Sequence, residues 1–363
     1  DHASIELTMA GSGTPGAGRF AVGETRRGGF LMMYRAGIAC ALLGAGLCLA
    51  APARSDETAQ VAQKPASAPA SSVVVDIRSD RIVLLDITRV GQRLIAVGER
   101  GFTLVSDDDG KTWKGVQTPV TRQLTGLAFK DDKVGIAVGH GGSFVRTEDG
   151  GNTWALVTVD EAGLDSILGI THIAGDHFIA YGAFGLYFDS QDAGRTWQRG
   201  TVLSEDFDRH ISQVIAVGSS LLLVAESGTL ARSDDGGATW IALTSPYAGS
   251  YFGALAVKDG SVLAFGMRGN VFRSLDLGTT WQKVETGTTV SFMSGRQLAD
   301  GRVMLVGNSG LIGESADGGQ SFVLHTATPG KGFAALLENP GGSILFAGES
   351  GITPLDPAWL ESR

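Results

Sequence analysis

Cysteine is nearly absent from this chain of 363 residues, which contains only Cys40 and Cys48, both within one apolar stretch near the N-terminus. The rest of the chain therefore has no disulfide framework, no cysteine-based zinc site and no cysteine nucleophile. Proline is scarce, with 10 residues, and only 18% of the residues are charged, against 43% that are hydrophobic. This composition excludes a disordered chain, and the lack of a Gly-X-Y period excludes a collagen-like one.

Glycine, in contrast, is abundant, with 53 residues. Because glycine adopts the positive φ that tight turns need, short strands joined by tight turns are predicted, and hence an all-β fold. The 38 acidic residues outnumber the 29 basic ones and give a formal net charge of -9. Such a surface repels nucleic acid and anionic lipid, so neither is an expected partner.

The N-terminal region has the features of an export signal. Residues 1–31 begin with Asp1 and show no hydrophobic period, which indicates an unstructured leader or a misassigned start. Residues 32–55 contain Arg35, an apolar run and then small residues, which is the plan of a signal peptide. Cleavage there would leave 24 basic and 35 acidic residues, a net charge of -11, on a periplasmic protein. Residues 56–72, rich in Ala, Pro and Ser, are predicted to be a flexible linker before a folded domain over 73–363.

Three other interpretations of this region are less favoured. The apolar run of residues 36–51 is near the lower length limit for an uncleaved membrane anchor. Arg26 and Arg27 precede it in a pattern similar to a twin-arginine signal. The residues before Cys40 and Cys48 do not match a lipoprotein cleavage signal, so no lipid anchor is predicted.

A repeat of about 42 residues decides the architecture. A Ser/Thr-x-Asp-x-Gly-x-Thr/Ser-aromatic segment begins at Ser106, Thr147, Ser190, Ser233, Ser274 and Ser315, with spacings of 41, 43, 43, 41 and 41 residues. We call these six segments the Asp turns. An apolar strand ending in a Gly-x-x-Gly turn precedes each of them and occurs a seventh time without one, the turns starting at Gly98, Gly139, Gly182, Ala225, Gly266, Gly307 and Gly348.

The length of this repeat matches four short strands, which is one blade of a β-propeller. Seven blades in a closed ring are therefore predicted. The seventh repeat lacks its last strand, and residues 73–77, Val-Val-Val-Asp-Ile, lie just before the first blade. We expect this N-terminal strand to pair in the last blade and close the ring.

Each position of an Asp turn has a structural explanation. The Ser/Thr and Asp side chains can bind backbone amides, glycine takes the left-handed conformation, and the aromatic residue can pack between blades. Calcium binding by the repeated Asp is the functional alternative, but each turn offers few carboxylates. The expected structural residues are Asp108, Trp113, Asp149, Trp154, Asp192, Trp197, Asp235, Trp240, Asp276, Trp281, Asp317 and Phe322.

The Asp turns resemble the aspartate boxes of bacterial-neuraminidase repeats. With Arg146-Thr147, Arg232-Ser233 and Arg273-Ser274 beside the apolar-Gly-x-x-Gly pattern, residues 73–355 resemble the photosystem II stability and assembly factor family. This resemblance implies an exported, non-enzymatic, seven-bladed protein that binds a membrane-protein assembly intermediate on one face. We expect a monomer that needs no cofactor or metal and whose partner is a membrane protein or envelope complex.

The Gly-x-x-Gly turns and the loops between blades should share one face, on which variable side chains stand on a repeated frame. The partner-binding residues predicted there are Glu99, Arg100, His140, Phe184, Arg209, His210, Glu226, Tyr251, Met267, Arg268, Asn308 and Glu349. Phe184 and Met267 are expected to be exposed apolar anchors.

The alternative function is a sialidase-like glycoside hydrolase that uses the same face. It needs a tyrosine with a neighbouring carboxylate, for which Tyr251 and Glu226 are the candidates. The early sialidase signature is absent, since Ile77-Arg78-Ser79-Asp80 lacks its aromatic and proline residues. A metal or acid/base site at His140 and His210 is a further alternative, although the histidines show no metal-ligand spacing.

Overall fold

Tight turns and short apolar runs produce seven antiparallel sheets, as the glycine content and the repeat predicted. The computed structural model describes residues 74–75, 77–327 and 330–355, all of them within one compact unit, Lys64–Arg363. The predicted leader, signal peptide and linker lie outside the described residues. Within the described part of the chain, no helix is both long and apolar enough to span a membrane.

The sheets follow the chain order of the repeats, and each strand pairs with the next. Blades one to three comprise β2 Leu84–Val90, β3 Arg93–Gly98, β4 Phe102–Ser106 and β5 Lys114–Gln117; β6 Leu124–Phe129, β7 Gly135–Gly139, β8 Ser143–Thr147 and β9 Ala155–Leu156; and β10 Ile167–Ala174, β11 His177–Gly182, β12 Tyr187–Ser190 and β13 Gln198–Arg199. Blades four and five comprise β14 Ile211–Val217, β15 Ser220–Ala225, β16 Leu230–Ser233 and β17 Ile241–Ala242; and β18 Tyr251–Ala256, β19 Val262–Gly266, β20 Val271–Ser274 and β21 Gln282–Val284. Blades six and seven comprise β22 Phe292–Gln297, β23 Val303–Gly307, β24 Leu311–Ser315 and β25 Val323–Thr326; and β26 Phe333–Glu338, β27 Ile344–Gly348 and β28 Gly351–Leu355.

The seven-bladed propeller is therefore confirmed. The first strand of each blade contacts the first strands of both neighbouring blades, and β26 of blade seven contacts β2 of blade one, so the ring is complete. Seven clusters of buried apolar side chains lie between adjacent blades. The apolar cores of this fold are thus the joints between sheets.

The predicted closure of the ring by the N-terminal strand is wrong. β1, Val74–Val75, pairs antiparallel with β5 and adds a fifth strand to blade one. The outer edge of β28 offers few donors for it: the Ile352 N–H already binds the Ser79 carbonyl at 2.9 Å, and Pro354, two residues on, has no N–H.

Blades seven and one are joined by packing and by polar side chains instead. One apolar cluster contains both Leu84 of blade one and Leu345 of blade seven. The Arg89 guanidinium donates hydrogen bonds to Asn339 Oδ1 of blade seven (2.5 Å) and to Asp109 (2.9 Å), while Asn339 Nδ2 donates to the Asp109 carbonyl (3.1 Å). Asn339 is buried, so this polar cluster closes the ring from inside the joint.

Candidate partner-binding rim

The turns between the second and third strands and the loops between blades meet on one side of the ring, which we call the upper rim. The first residue of each of the seven turns donates its N–H to the carbonyl oxygen of the residue that immediately precedes the first strand of the same blade. These bonds are Glu99 to Val83, His140 to Gln123, Ala183 to Ser166, Glu226 to His210, Met267 to Ser250, Asn308 to Ser291 and Glu349 to Gly332, at 2.9 to 3.1 Å. This backbone hydrogen bond of the upper rim thus recurs in every blade.

The middle residue of these turns is left-handed in six blades. Its φ lies between 53° and 68° at Arg100, Gly141, Phe184, Ser227, Arg268 and Ser309. A non-glycine residue in this conformation carries a steric cost of roughly 1–2 kcal/mol. Five blades nevertheless place a non-glycine residue there. Such strained conformations are concentrated at functional sites.

The predicted rim residues differ in exposure. Arg100, Phe184, Arg209, Arg268, Asn308 and Glu349 are exposed, whereas Glu99, His140, His210, Glu226 and Met267 are half-buried. Phe184 is 58% exposed, a large fraction for an aromatic side chain. Met267 is therefore a poorer anchor than Phe184.

Tyr251 does not belong to this surface, and its inclusion was wrong. It is the first residue of β18 and only 1% exposed, and its hydroxyl lies 2.9 Å from Ser245 Oγ. Burial raises the pKa of Tyr251 to about 12. Its ring packs between Tyr247 and Phe272 because the first residue of the inner strand points into the joint between blades. Tyr181 and Tyr187 are also buried, and the hydroxyl of the half-buried Tyr247 lies 3.5 Å from the Met267 carbonyl oxygen. The hydrogen bonds of the described tyrosines thus include none to a carboxylate.

Among the described residues, the exposed arginines of the upper rim have distant ion-pair partners or none. Arg100 lies 3.9 Å from Glu99 and Arg209 lies 3.7 Å from Asp208, both with loose geometry. Arg268 has no ion pair within the described residues. Arg122, which was not among the predicted site residues, also has no ion pair there and lines a groove of about 430 Å³ over blade two, between the loops that lead into and out of that blade. The rim thus presents cations that are free to pair with a partner, on a protein of net negative charge.

Two of the predicted histidines take part in rim contacts. His140 Nδ1 lies 2.7 Å from Ser166 Oγ. His210 Nδ1 accepts the Phe184 N–H at 3.1 Å, and the two rings meet edge to face at 4.8 Å. No group of three or more His, Cys, Asp or Glu side chains with metal-binding geometry occurs in the described ranges.

The Asp turns lie on the opposite, lower rim and are held by their own side chains. In blade one, Ser106 Oγ accepts the Gly110 N–H (2.9 Å) and donates to Asp108 Oδ1 (2.8 Å). Asp108 accepts the Thr112 hydroxyl (2.6 Å) and N–H (2.8 Å). These bonds, the one from the hydroxyl foremost, lower the pKa of Asp108 to about 2. The carboxylates are therefore engaged within the turn, and the same bonds recur in the other five copies.

The aromatic residue of each Asp turn packs into the core that its blade shares with the preceding blade. Trp154 of blade two, 1% exposed, lies in a cluster with Ile95 and Val97 of blade one. The other five, Trp113, Trp197, Trp240, Trp281 and Phe322, occupy the corresponding clusters. The aromatic residues of the lower rim thus join neighbouring blades.

Comparison with known proteins places this geometry in a family. A model of the family described as "Photosynthesis system II assembly factor YCF48" matches residues 110–292. No curated protein sequence matches the chain. A solved structure of YCF48 bound to D1 peptide has 18% identity and a TM-score of 0.64, and the match covers 80% of this chain and 98% of that one.

Two further structures show how widely the fold is shared. YCF48 from Cyanidioschyzon merolae has 15% identity and a TM-score of 0.65, over 80% of this chain and 100% of that one. An ancestral GH74 enzyme has 16% identity and a TM-score of 0.63, over 78% of this chain and 46% of that one. At these identities the likeness establishes the fold, which is common to proteins of different function.

Proposed function

The chain belongs to the photosynthesis system II assembly factor YCF48 family, and from this membership we propose that it is an exported, non-enzymatic interaction factor for a membrane protein complex. The upper rim is the proposed docking surface. Residues 32–55, with the composition of a signal peptide, support a periplasmic location. A family member bound to a D1 peptide supports a peptide segment of the partner as the ligand.

The observation that carries this proposal is the contrast between frame and side chains on the upper rim. Seven turns share one backbone hydrogen bond, and the left-handed middle residues of six of them include exposed Arg100, Phe184 and Arg268. Aromatic and arginine side chains dominate the binding energy of protein interfaces. A rigid frame that displays them loses little conformational entropy on binding.

The hydrolase alternative has less support. A nucleophilic tyrosine has to reach solvent and a carboxylate, and Tyr251 is buried with its hydroxyl beside Ser245. Burial raises its pKa to about 12, which works against ionisation at neutral pH. The resemblance to a GH74 enzyme at 16% identity concerns the fold.

Site-specific photo-crosslinking tests the docking surface. We expect p-benzoylphenylalanine at position 184 or 268 to capture one membrane protein in intact cells, and the same group at exposed Lys111 on the lower rim to capture none. Arg100→Glu with Arg268→Glu should abolish the capture at position 184. Equal capture from both rims, or turnover of sialosides by the purified protein that is lost in Glu226→Gln, would refute the proposal.

A further inference from the structure

Phe184 is held in its left-handed conformation by a titratable acceptor. Its φ is 53°, and its N–H donates to His210 Nδ1 at 3.1 Å across the joint between the turn of blade three and the loop that leads to blade four. A ring nitrogen accepts a hydrogen bond only when it carries no proton. The contact therefore requires neutral His210 with its proton on Nε2.

At the same position in blade five, the hydrogen-bond acceptor is a side chain that does not titrate. There the N–H of Arg268, also left-handed with φ 57°, donates to Ser291 Oγ at 3.2 Å. Ser291 immediately precedes its inner strand, β22, as His210 precedes β14. The structural role is thus filled by a hydroxyl in one blade and by an imidazole in the other.

The carboxylate of Glu226 lies close enough to pair with the His210 ring once the ring is protonated. Glu226 Oε1 lies 3.7 Å from His210 Nδ1 and already accepts the His210 backbone N–H at 3.0 Å. The other charged neighbours are Arg209 and Asp208, which lie 3.7 Å from each other on the same loop. The turn that carries Phe184 has no charged side chain.

We propose that His210 is a positioning residue that makes the presentation of Phe184 depend on pH. In neutral solution His210 Nδ1 accepts the Phe184 N–H and keeps the exposed ring in place. On acidification Nδ1 gains a proton, two donors then face each other, and the imidazolium turns to Glu226. The turn loses one tie and the aromatic anchor becomes mobile, so docking at the upper rim weakens in acid. This last consequence rests on the proposed function.

The hydrogen bond can be tested without any partner, by the protection of the Phe184 amide against hydrogen exchange and by the imidazole ¹⁵N shifts. We expect the protection factor of the purified protein to fall roughly fivefold to tenfold between pH 8 and pH 5, the value of one lost hydrogen bond. His210→Ser, which copies the acceptor of blade five, should retain protection at both pH values. His210→Ala should lack it at both.

Photo-crosslinking from position 268 at the two pH values then tests the consequence for docking, with His172→Ser as a histidine control outside the rim cluster. Capture that weakens in acid for the native protein but not for His210→Ser supports the inference. A proton on Nδ1 at pH 8, or equal Phe184 protection at pH 5 and pH 8, overturns it. Failure to capture any protein at either pH, with pH-dependent protection intact, would overturn the docking function and leave the switch standing.

Discussion

The Nε of Arg146 donates a 2.7 Å hydrogen bond to the carbonyl oxygen of Ala193, so the third strand of blade two holds the Asp turn of blade three. Arg273 makes the same bond, at 3.0 Å, to Gly318 of the following blade. Both acceptors are left-handed, with φ of 60° and 70°. In blades two and five, the arginine that precedes the Asp turn thus joins neighbouring blades.

Removal of this joint should lower stability. Arg146 is buried to 9% exposure, and Arg146→Met deletes a charge-assisted bond while preserving the apolar stem. We expect the free energy of unfolding to fall by about 2 kcal/mol, measured by urea denaturation. Arg232→Met is the matched control, because Arg232 pairs with Asp234 of its own blade and should change stability by less than about 1 kcal/mol. Equal effects of the two substitutions would contradict the joint.

A half-buried carboxyl on the first strand of blade one should give the protein an unusual pH dependence. Burial raises the pKa of Asp86 from 3.8 to about 6, although its oxygens accept the N–H groups of Leu127 and Ile87. Between these two values the folded protein binds more protons than the unfolded chain. The contribution of Asp86 to the free energy of unfolding should therefore fall as pH rises from about 4 through about 6, by at most about 3 kcal/mol, whereas the Asp-turn carboxylates, whose pKa is lowered, contribute with the opposite sign.

Blade four supplies the control for this effect. Gln213 occupies the position of Asp86 there and accepts the Ala254 N–H at 2.8 Å. In thermal unfolding across pH 4 to 7, Asp86→Asn should lack the falling contribution of the native protein, and Gln213→Glu should add a second one. A profile unchanged in Asp86→Asn would show that another group titrates.

The first position of the upper-rim turn is glycine in six of the seven blades, where another part of the backbone approaches closely. A Cβ on Gly307 would lie 2.0 Å from the Ser291 carbonyl oxygen, a backbone atom that cannot turn away. Gly307→Ala should therefore lower the free energy of unfolding by roughly 2 kcal/mol or more. Blade four already has Ala225 there, paired with Ile211, so Ala225→Gly should cost about 1 kcal/mol at most. Chemical denaturation of both variants measures these free energies. Similar losses of stability in Gly307→Ala and Ala225→Gly would count against the close backbone approach as the reason for glycine.

Non-glycine residues with a left-handed backbone on the upper rim should lower the free energy of unfolding. Arg100 has φ 62° and a side chain that is 78% exposed. Arg100→Gly should raise the free energy of unfolding by up to about 1 kcal/mol, whereas Arg100→Val should lower it, because a β-branched residue tolerates positive φ least. Thermal shift assays can rank the three proteins. Destabilisation by glycine would mean that the arginine side chain contributes contacts of its own.

Several structural features could be predicted from single repeats. The number of blades follows from the spacing of the Asp turns, and the hydrogen bonds of Asp108 and Ser106 lie within four residues of each other. The exposure of Phe184 and Arg268 likewise follows from their place between two glycines of a turn. Such features depend on local backbone geometry, which each repeat contains in full.

Other features required distant segments to compete or meet. The strand Val74–Val75 had two outer edges available, and its choice of β5 over β28 depends on Pro354 and on the contact between Ile352 and Ser79. The loop before Tyr251 predicts a surface position for it, yet the joint between blades buries it. The pairing of His210 with Phe184 joins residues 26 apart. The amino-acid sequence alone therefore determined the repeat, the turns and the fold, since these are short-range properties, whereas the tertiary structure decided the closure of the ring and the composition of the rim, because both depend on which edges and side chains remain free after the blades have packed.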